Sequence, residues 1–272
     1  MMKSLIAALL LSVAAIYLFV TAPPPLPDES SSASNDGPTI PVKVLLDSAN
    51  LVNAAARKIY TERIVSRGHE ASLSFNEEWR QPEVESGLLP ALFLREVASE
   101  LRKQDAALAL FLGSDQPISS SNAFKGEQIG QFEALTYDQK PRYFEMPSLQ
   151  LQVGLYADLA VAPGCVSCHN EHPNTPKRDW KLGDVMGATT WTYPRSTVTD
   201  RELRQGIAQV YEAIARAYAT YLAKTQRFRD APLIGGHWPE KGRRQLPDVE
   251  TFVAAVKDAT APSILNTAVL FQ

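Results

Sequence analysis

The stretch Leu149-Gln150-Leu151-Gln152-Val153-Gly154-Leu155-Tyr156-Ala157-Asp158-Leu159 alternates apolar side chains with polar or small ones. A period of two puts successive side chains on opposite faces of an extended backbone, so the segment reads as a half-buried strand. Val185 to Tyr193, β-branched and aromatic, reads as a second strand. Leu108 to Leu112, closed by Gly113 and Pro117, reads as a third. Upstream, Leu45, Ala49, Val52, Ala56, Ile59, Tyr60 and Ile64 recur every three or four positions. That spacing predicts an amphipathic helix of about seven turns from Val42 to Arg67, ended by Gly68 and followed by a polar loop through His69, Trp79 and Pro82. Leu92 to Lys103 reads as a shorter helix behind Pro90. A long amphipathic helix is predicted over 199–230, its clearest periodicity at 199–227 with Leu203, Ile207, Val210, Ile214, Ala217, Tyr218 and Tyr221 as a packing stripe. Residues 231–272 read as an irregular tail with one short helix near Val249 to Lys257. Strands that follow strands across short connections, between two long helices, predict an α+β fold with a small antiparallel sheet.

The 272 residues are 45% hydrophobic and 21% charged, enough apolar material for one sizeable core. A formal charge of -3 argues against a dedicated nucleic-acid binder, whose contact face needs a basic surplus.

Lys3 precedes an apolar run from Leu5 to Val20 that is broken only by Ser12. A positive start followed by a hydrophobic segment is an export signal, and the run is just long enough to span a bilayer. Pro23 after Val20-Thr21-Ala22 obstructs cleavage, so residues 1–22 are read as a single membrane anchor, with a cleaved signal as the alternative. Either way the remaining chain lies beyond the bacterial cytoplasmic membrane, in the periplasm. Residues 23–41, rich in proline, serine and acid, read as a disordered linker.

Both cysteines of the chain lie in Cys165-Val166-Ser167-Cys168-His169. This is the CxxCH pattern of covalent haem attachment: two thiols each add to one porphyrin vinyl group, and the adjacent imidazole becomes the proximal iron ligand. Three alternatives use the same atoms. A dithiol redox pair normally opens the helix of a βαβ unit, which the pattern here does not provide. A zinc site of Cys165, Cys168, His169 and His172 would crowd four donors into eight residues. A disulfide across two residues would close too small a loop to stabilise much.

Tyr156 to Asn170, His172-Pro173, and Asp179-Trp180-Lys181-Leu182-Gly183-Asp184-Val185-Met186-Gly187-Ala188, together with Gly87 to Ala98, resemble a bacterial family of periplasmic c-type haem domains. The likeness covers about residues 42 to 200. It implies a PAS-like sheet with a long N-terminal helix over 42–198, and one haem c used in redox or gas sensing or in electron transfer. Cys165, Cys168 and His169 carry over directly. Signalling members continue into a second membrane span and an effector domain, and no such continuation is read here.

With both thiols committed to attachment, His69, His172, His237, Met146 and Met186 remain as donors for the opposite face of the iron. His69 follows the long helix that the family places beside the haem and ranks first as distal ligand, against a solvated loop histidine. Trp180, Trp191, Tyr156 and Tyr193 are assigned to packing, with a porphyrin wall as the second use. Arg178 and Lys181 could pair with propionates. The expected function is a sensor component that reports to a redox or signalling partner protein. The alternative is a one-electron carrier between respiratory partners. No distal histidine and arginine typical of a peroxidase can be placed, so an enzyme is not expected. The long helices are expected to pack together, and their stripes could also serve a homodimer.

Overall fold

The computed structural model describes the backbone from residue 39 to 269 and the side chains to 261. The anchor at 1–22 and nearly all of the linker at 23–41 lie outside the described residues. Among those described, no helix is long and apolar enough to cross a membrane.

The predicted antiparallel sheet is present, with four strands in place of three. Its order is β2 (Ala109–Gly113), β5 (Val185–Tyr193), β4 (Leu151–Leu159) and β3 (Arg142–Met146), every neighbouring pair antiparallel. Strand β4 begins at Leu151 because Gln150, at φ 53°, turns the chain out of a short 3-10 turn over Pro147–Leu149. It is covered on both faces, not one. Helix α1 (Val42–Ile59) packs on one face, where Tyr156 and Trp191 are buried with Leu45, Leu46 and Val52. Helix α4 (Glu127–Asp138) covers the other, where Phe132 and Leu135 meet Leu155 and Ala188. The sequence reading missed α4 because only Phe132 and Leu135 of its residues are buried, too few to mark a helical period.

Helix α1 does not stop at Gly68. It runs on through a wide π-helical turn, Tyr60–Ser66, into α2 (Arg67–Glu70). In that turn the Ser66 hydroxyl donates to the Thr61 carbonyl at 3.0 Å. The wider turn keeps Tyr60, Ile64 and Val65 all buried. Tyr60 stacks on Phe93 of α3 (Pro90–Lys103), with 4.4 Å between ring centroids, and its hydroxyl donates to the Leu88 carbonyl at 2.8 Å. Trp79, expected in a polar loop, is buried.

Between β1 (Ile40–Pro41) and its partner β6 (Thr197–Val198) a short antiparallel ladder ties the start of α1 to the start of α6 (Asp200–Thr225). Thr199 caps α6 in a reciprocal box: its hydroxyl accepts from the Glu202 amide, and the Glu202 carboxylate accepts from the Thr199 amide at 2.8 Å. Helices α1 and α6 pack together, and the stripe residues Ala49, Val52, Val210, Ile214 and Ala217 are buried within the chain.

Residues 231–272 are read from sequence as an irregular tail, but Leu246, Phe252 and Val256 of that stretch belong to the core. A parallel pair, β7 (Leu233–Gly235) with β8 (Gln245–Pro247), precedes α7 (Val249–Val269), which is far longer than the short helix expected. Phe252 stacks on Tyr218 with centroids 4.2 Å apart, and the Arg63 guanidinium lies 3.5 Å from the Trp238 ring centroid. Glycines and prolines here shape a packed connection, and their composition alone resembles that of a loose one.

Candidate functional site

The connection between the strands read at Leu149 to Leu159 and at Val185 to Tyr193 contains a helix, α5 (Pro163–Glu171). Pro163 opens it at a position where its missing N–H costs nothing, and its fixed φ suits the first turn. Strands β4 and β5 on either side are antiparallel, so this is not a βαβ unit. Residues at i, i+3 and i+4 of a helix share one face, which places Cys165, Cys168 and His169 side by side. Both thiols are free and half-buried. None of the nine residues of α5 is buried, and behind it lies only a small cluster of Ala160, Trp180 and Met186.

Polar contacts hold the far end of the helix. The Asn170 side chain accepts from the Trp180 amide at 2.9 Å and donates to the Trp180 carbonyl at 3.0 Å. Arg178 donates to the Asn170 carbonyl at 2.9 Å and to the His172 carbonyl at 3.3 Å, satisfying acceptors left over at a helix C-terminus. Lys181 donates its backbone N–H to Asp184 at 2.9 Å. His172 Nδ1 accepts from the Asn174 amide at 3.1 Å, which leaves Nε2 to carry the proton toward Glu77, 3.2 Å away. His172, a candidate donor to the iron, is thus engaged by partners at the end of α5.

His169 faces the edge of Trp180 with ring centroids 6.4 Å apart, and its Nδ1 is buried without a hydrogen-bond partner. Burial pushes its pKa below the usual imidazole value; Asp158 and Glu77 work against that shift, His172 and Arg57 with it. Burial also pushes the Cys168 thiol up, and Glu77, Cys165 and Glu171 push it further. The neutral imidazole is the form that ligates metal. Among the described residues no group of three or more histidine, cysteine or acidic side chains is gathered to hold an ion, so the four-donor zinc arrangement is not assembled.

Behind the motif stands an ion pair that the sequence reading did not single out. Arg57 of α1 donates to Asp158 of β4 at 2.5 Å, with side chains 22% and 15% exposed. A β-bulge between Asp158 and Leu159 shifts the register at this point. The available signal was Asp158 itself: it shares a strand face with Gly154 and Tyr156, which pack under α1, and a carboxylate placed there needs a cation.

The other expected residues are placed as follows. His69 is exposed, its ring centroid 5.1 Å from that of Phe75. Met186 is buried in the cluster under α5, Met146 lies on the edge strand β3, and His237 is exposed. Trp180 is the expected aromatic that touches the motif. Trp191 and Tyr193 belong to the main core, and the Tyr156 hydroxyl donates to Asp47 at 2.7 Å.

A family model described as Tll0287-like matches residues 44–194, which runs from the first turn of α1 through β5 and includes α5. The chain belongs to the Tll0287-like family. This is a family of cytochrome c-type sensor domains, and membership agrees with the resemblance found over 42 to 200. The Tll0287-like span stops short of α6, β7, β8 and α7, although all four pack against it or on one another. No curated protein and no solved structure matches the chain.

Proposed function

We propose that the chain carries one haem c, attached covalently to α5, and acts as a redox or diatomic-gas sensor component. Its PAS-like domain would stand in the periplasm, tethered to the cytoplasmic membrane by residues 1–22, and report to a redox or signalling protein. The observation that carries this reading is the common face of Cys165, Cys168 and His169 on a helix with no buried residue. A helix of nine residues is too short to be stable in isolation, and an additional body packed on α5 would supply what its bare face lacks. A half-buried imidazole whose Nδ1 is shielded from water and lacks a partner suits an axial ligand.

Cys165 and Cys168 would hold the group through two thioethers and His169 would bind its iron. When bound, the group would supply one-electron exchange and a metal able to take a diatomic ligand. The chain's own residues do the rest. Asn170 and Arg178 hold the end of α5 in place, Trp180 excludes water from one edge of His169, and Arg57 with Asp158 sets the charge beside it.

An absorption spectrum of the purified full chain tests this reading. A pyridine haemochrome typical of two thioethers is expected, with rapid binding of carbon monoxide or nitric oxide to the reduced protein. A protein without haem overturns the proposal. A six-coordinate iron inert to both gases, with fast electron exchange, replaces the sensor by an electron carrier.

A further inference from the structure

The Arg57–Asp158 pair joins α1 to the end of β4, the strand that leads into α5. Arg57 lies in the last turn of α1, and Asp158 sits at the bulge of β4, seven residues before Cys165. Their contact is short and largely shielded from water, with 22% and 15% of the side chains exposed. Asp158 stands two residues before Ala160, whose small cluster with Trp180 and Met186 packs against Cys165, so the pair lies beside the attachment helix. Burial works to discharge Arg57, and Asp158, which accepts its hydrogen bond at 2.5 Å, with Cys165 works against it, so the guanidinium stays charged.

An ion pair so placed looks neutral from a distance, but beside the motif its two members act with opposite sign. We infer that the Arg57–Asp158 pair sets the reduction potential of the haem held by Cys165, Cys168 and His169, with Arg57 favouring the reduced form and Asp158 the oxidised form. This rests on the reading under Proposed function. Uptake of one electron, supplied in the measurement by an electrode, lowers the positive charge beside His169 by one. A nearby fixed cation favours that change and a nearby anion opposes it. The two residues are positioning residues, because they act through charge at the site without holding the group themselves.

The experiment is a spectroelectrochemical titration of the haem-loaded full chain and of Asp158→Asn, Arg57→Gln, Arg57→Lys and the double variant Arg57→Gln/Asp158→Asn. Asp158→Asn leaves Arg57 uncompensated and is expected to raise the midpoint potential. Arg57→Gln is expected to lower it. Each shift should be on the order of tenfold in the one-electron equilibrium, about 59 mV. Arg57→Lys and the double variant should lie close to the unaltered protein. A purely structural role would open the site in every variant and move all potentials the same way. Shifts of common sign, or none, in a haem-loaded protein overturn the pair's role and leave the haem reading standing. An unaltered protein with no haemochrome overturns the haem reading, and this inference with it. Should Arg57→Gln fail to retain haem, Asp158→Asn decides alone: a rise supports the inference, and an unchanged or lowered potential overturns it.

Discussion

Asn170 and Trp180 form a closed two-bond ring between a side chain and a backbone: Nδ2 donates to the Trp180 carbonyl at 3.0 Å while Oδ1 accepts from the Trp180 amide at 2.9 Å. The loop after the motif is thereby pinned to the last turn of α5, and the Trp180 ring is held edge-on to His169. Asn170→Ala removes both bonds and leaves two backbone groups unpaired. A loss of about 1–3 kcal/mol in denaturant unfolding is expected, with a change in the near-ultraviolet signal of Trp180.

Cys165→Ala and Cys168→Ala each remove one of the two half-buried thiols of α5. Each should yield a haemochrome band shifted to longer wavelength, as one vinyl group is freed. The double variant should release its haem on denaturation and extraction. Retention of covalent haem in the double variant would show attachment elsewhere in the chain.

Phe252 is fully buried and stacked on Tyr218, although it lies in the segment that composition marks as a tail. Phe252→Ala should therefore cost about 3–5 kcal/mol, as for a core aromatic, where a surface tail would lose almost nothing. A fluorescence-monitored urea titration distinguishes the two outcomes.

Glu202 titrates below the usual carboxylate value of 4.5, held down first by the Thr199 amide and then by Arg195. A carboxylate whose folded pKa is depressed adds stability that is present above its unfolded pKa and lost as the pH falls through its folded one. The stability advantage of the unaltered protein over Glu202→Gln should hold near neutral pH and shrink below about pH 4.5, as measured by denaturation midpoints across that range. An advantage independent of pH would mean that the cap acts without the charge.

Gly187 sits in β5 opposite Asp158, and a Cβ there would lie 2.5 Å from the Gly113 carbonyl oxygen, a backbone atom that cannot step aside. Gly187→Ala should part β2 from β5 at this point, lowering the melting temperature and, in a haem-loaded protein, changing the spectrum through displacement of Asp158. An unchanged melting curve would mean that the strands adjust freely here.

Local chemistry was legible in the residues themselves. The period of Leu149 to Leu159, the β-branched run from Val185 to Tyr193 and the three-four spacing after Val42 each mark one element, and each element is present, with β4 starting two residues later at Leu151 and the helix running on past Gly68. The CxxCH spacing was equally legible, because its chemistry depends only on neighbours along the chain. The helix that carries it was not, since α5 buries no residue and so leaves no periodic trace. Helix α4 and the packed tail escaped for a related reason. Their burial depends on partners such as Leu155 and Tyr218, which are distant in sequence and contribute to no local period.

The sequence alone thus determined the attachment chemistry and the sheet's two central strands, because thiol spacing and side-chain alternation are properties of consecutive residues. Only the tertiary structure decided what surrounds that chemistry. It seated Asp158 against Arg57, 101 positions away in the chain, and turned His172 toward Glu77 and His69 toward Phe75. Those pairings follow from how the last turn of α1 approaches the bulged end of β4, and a long-range approach of that kind has no period to be read.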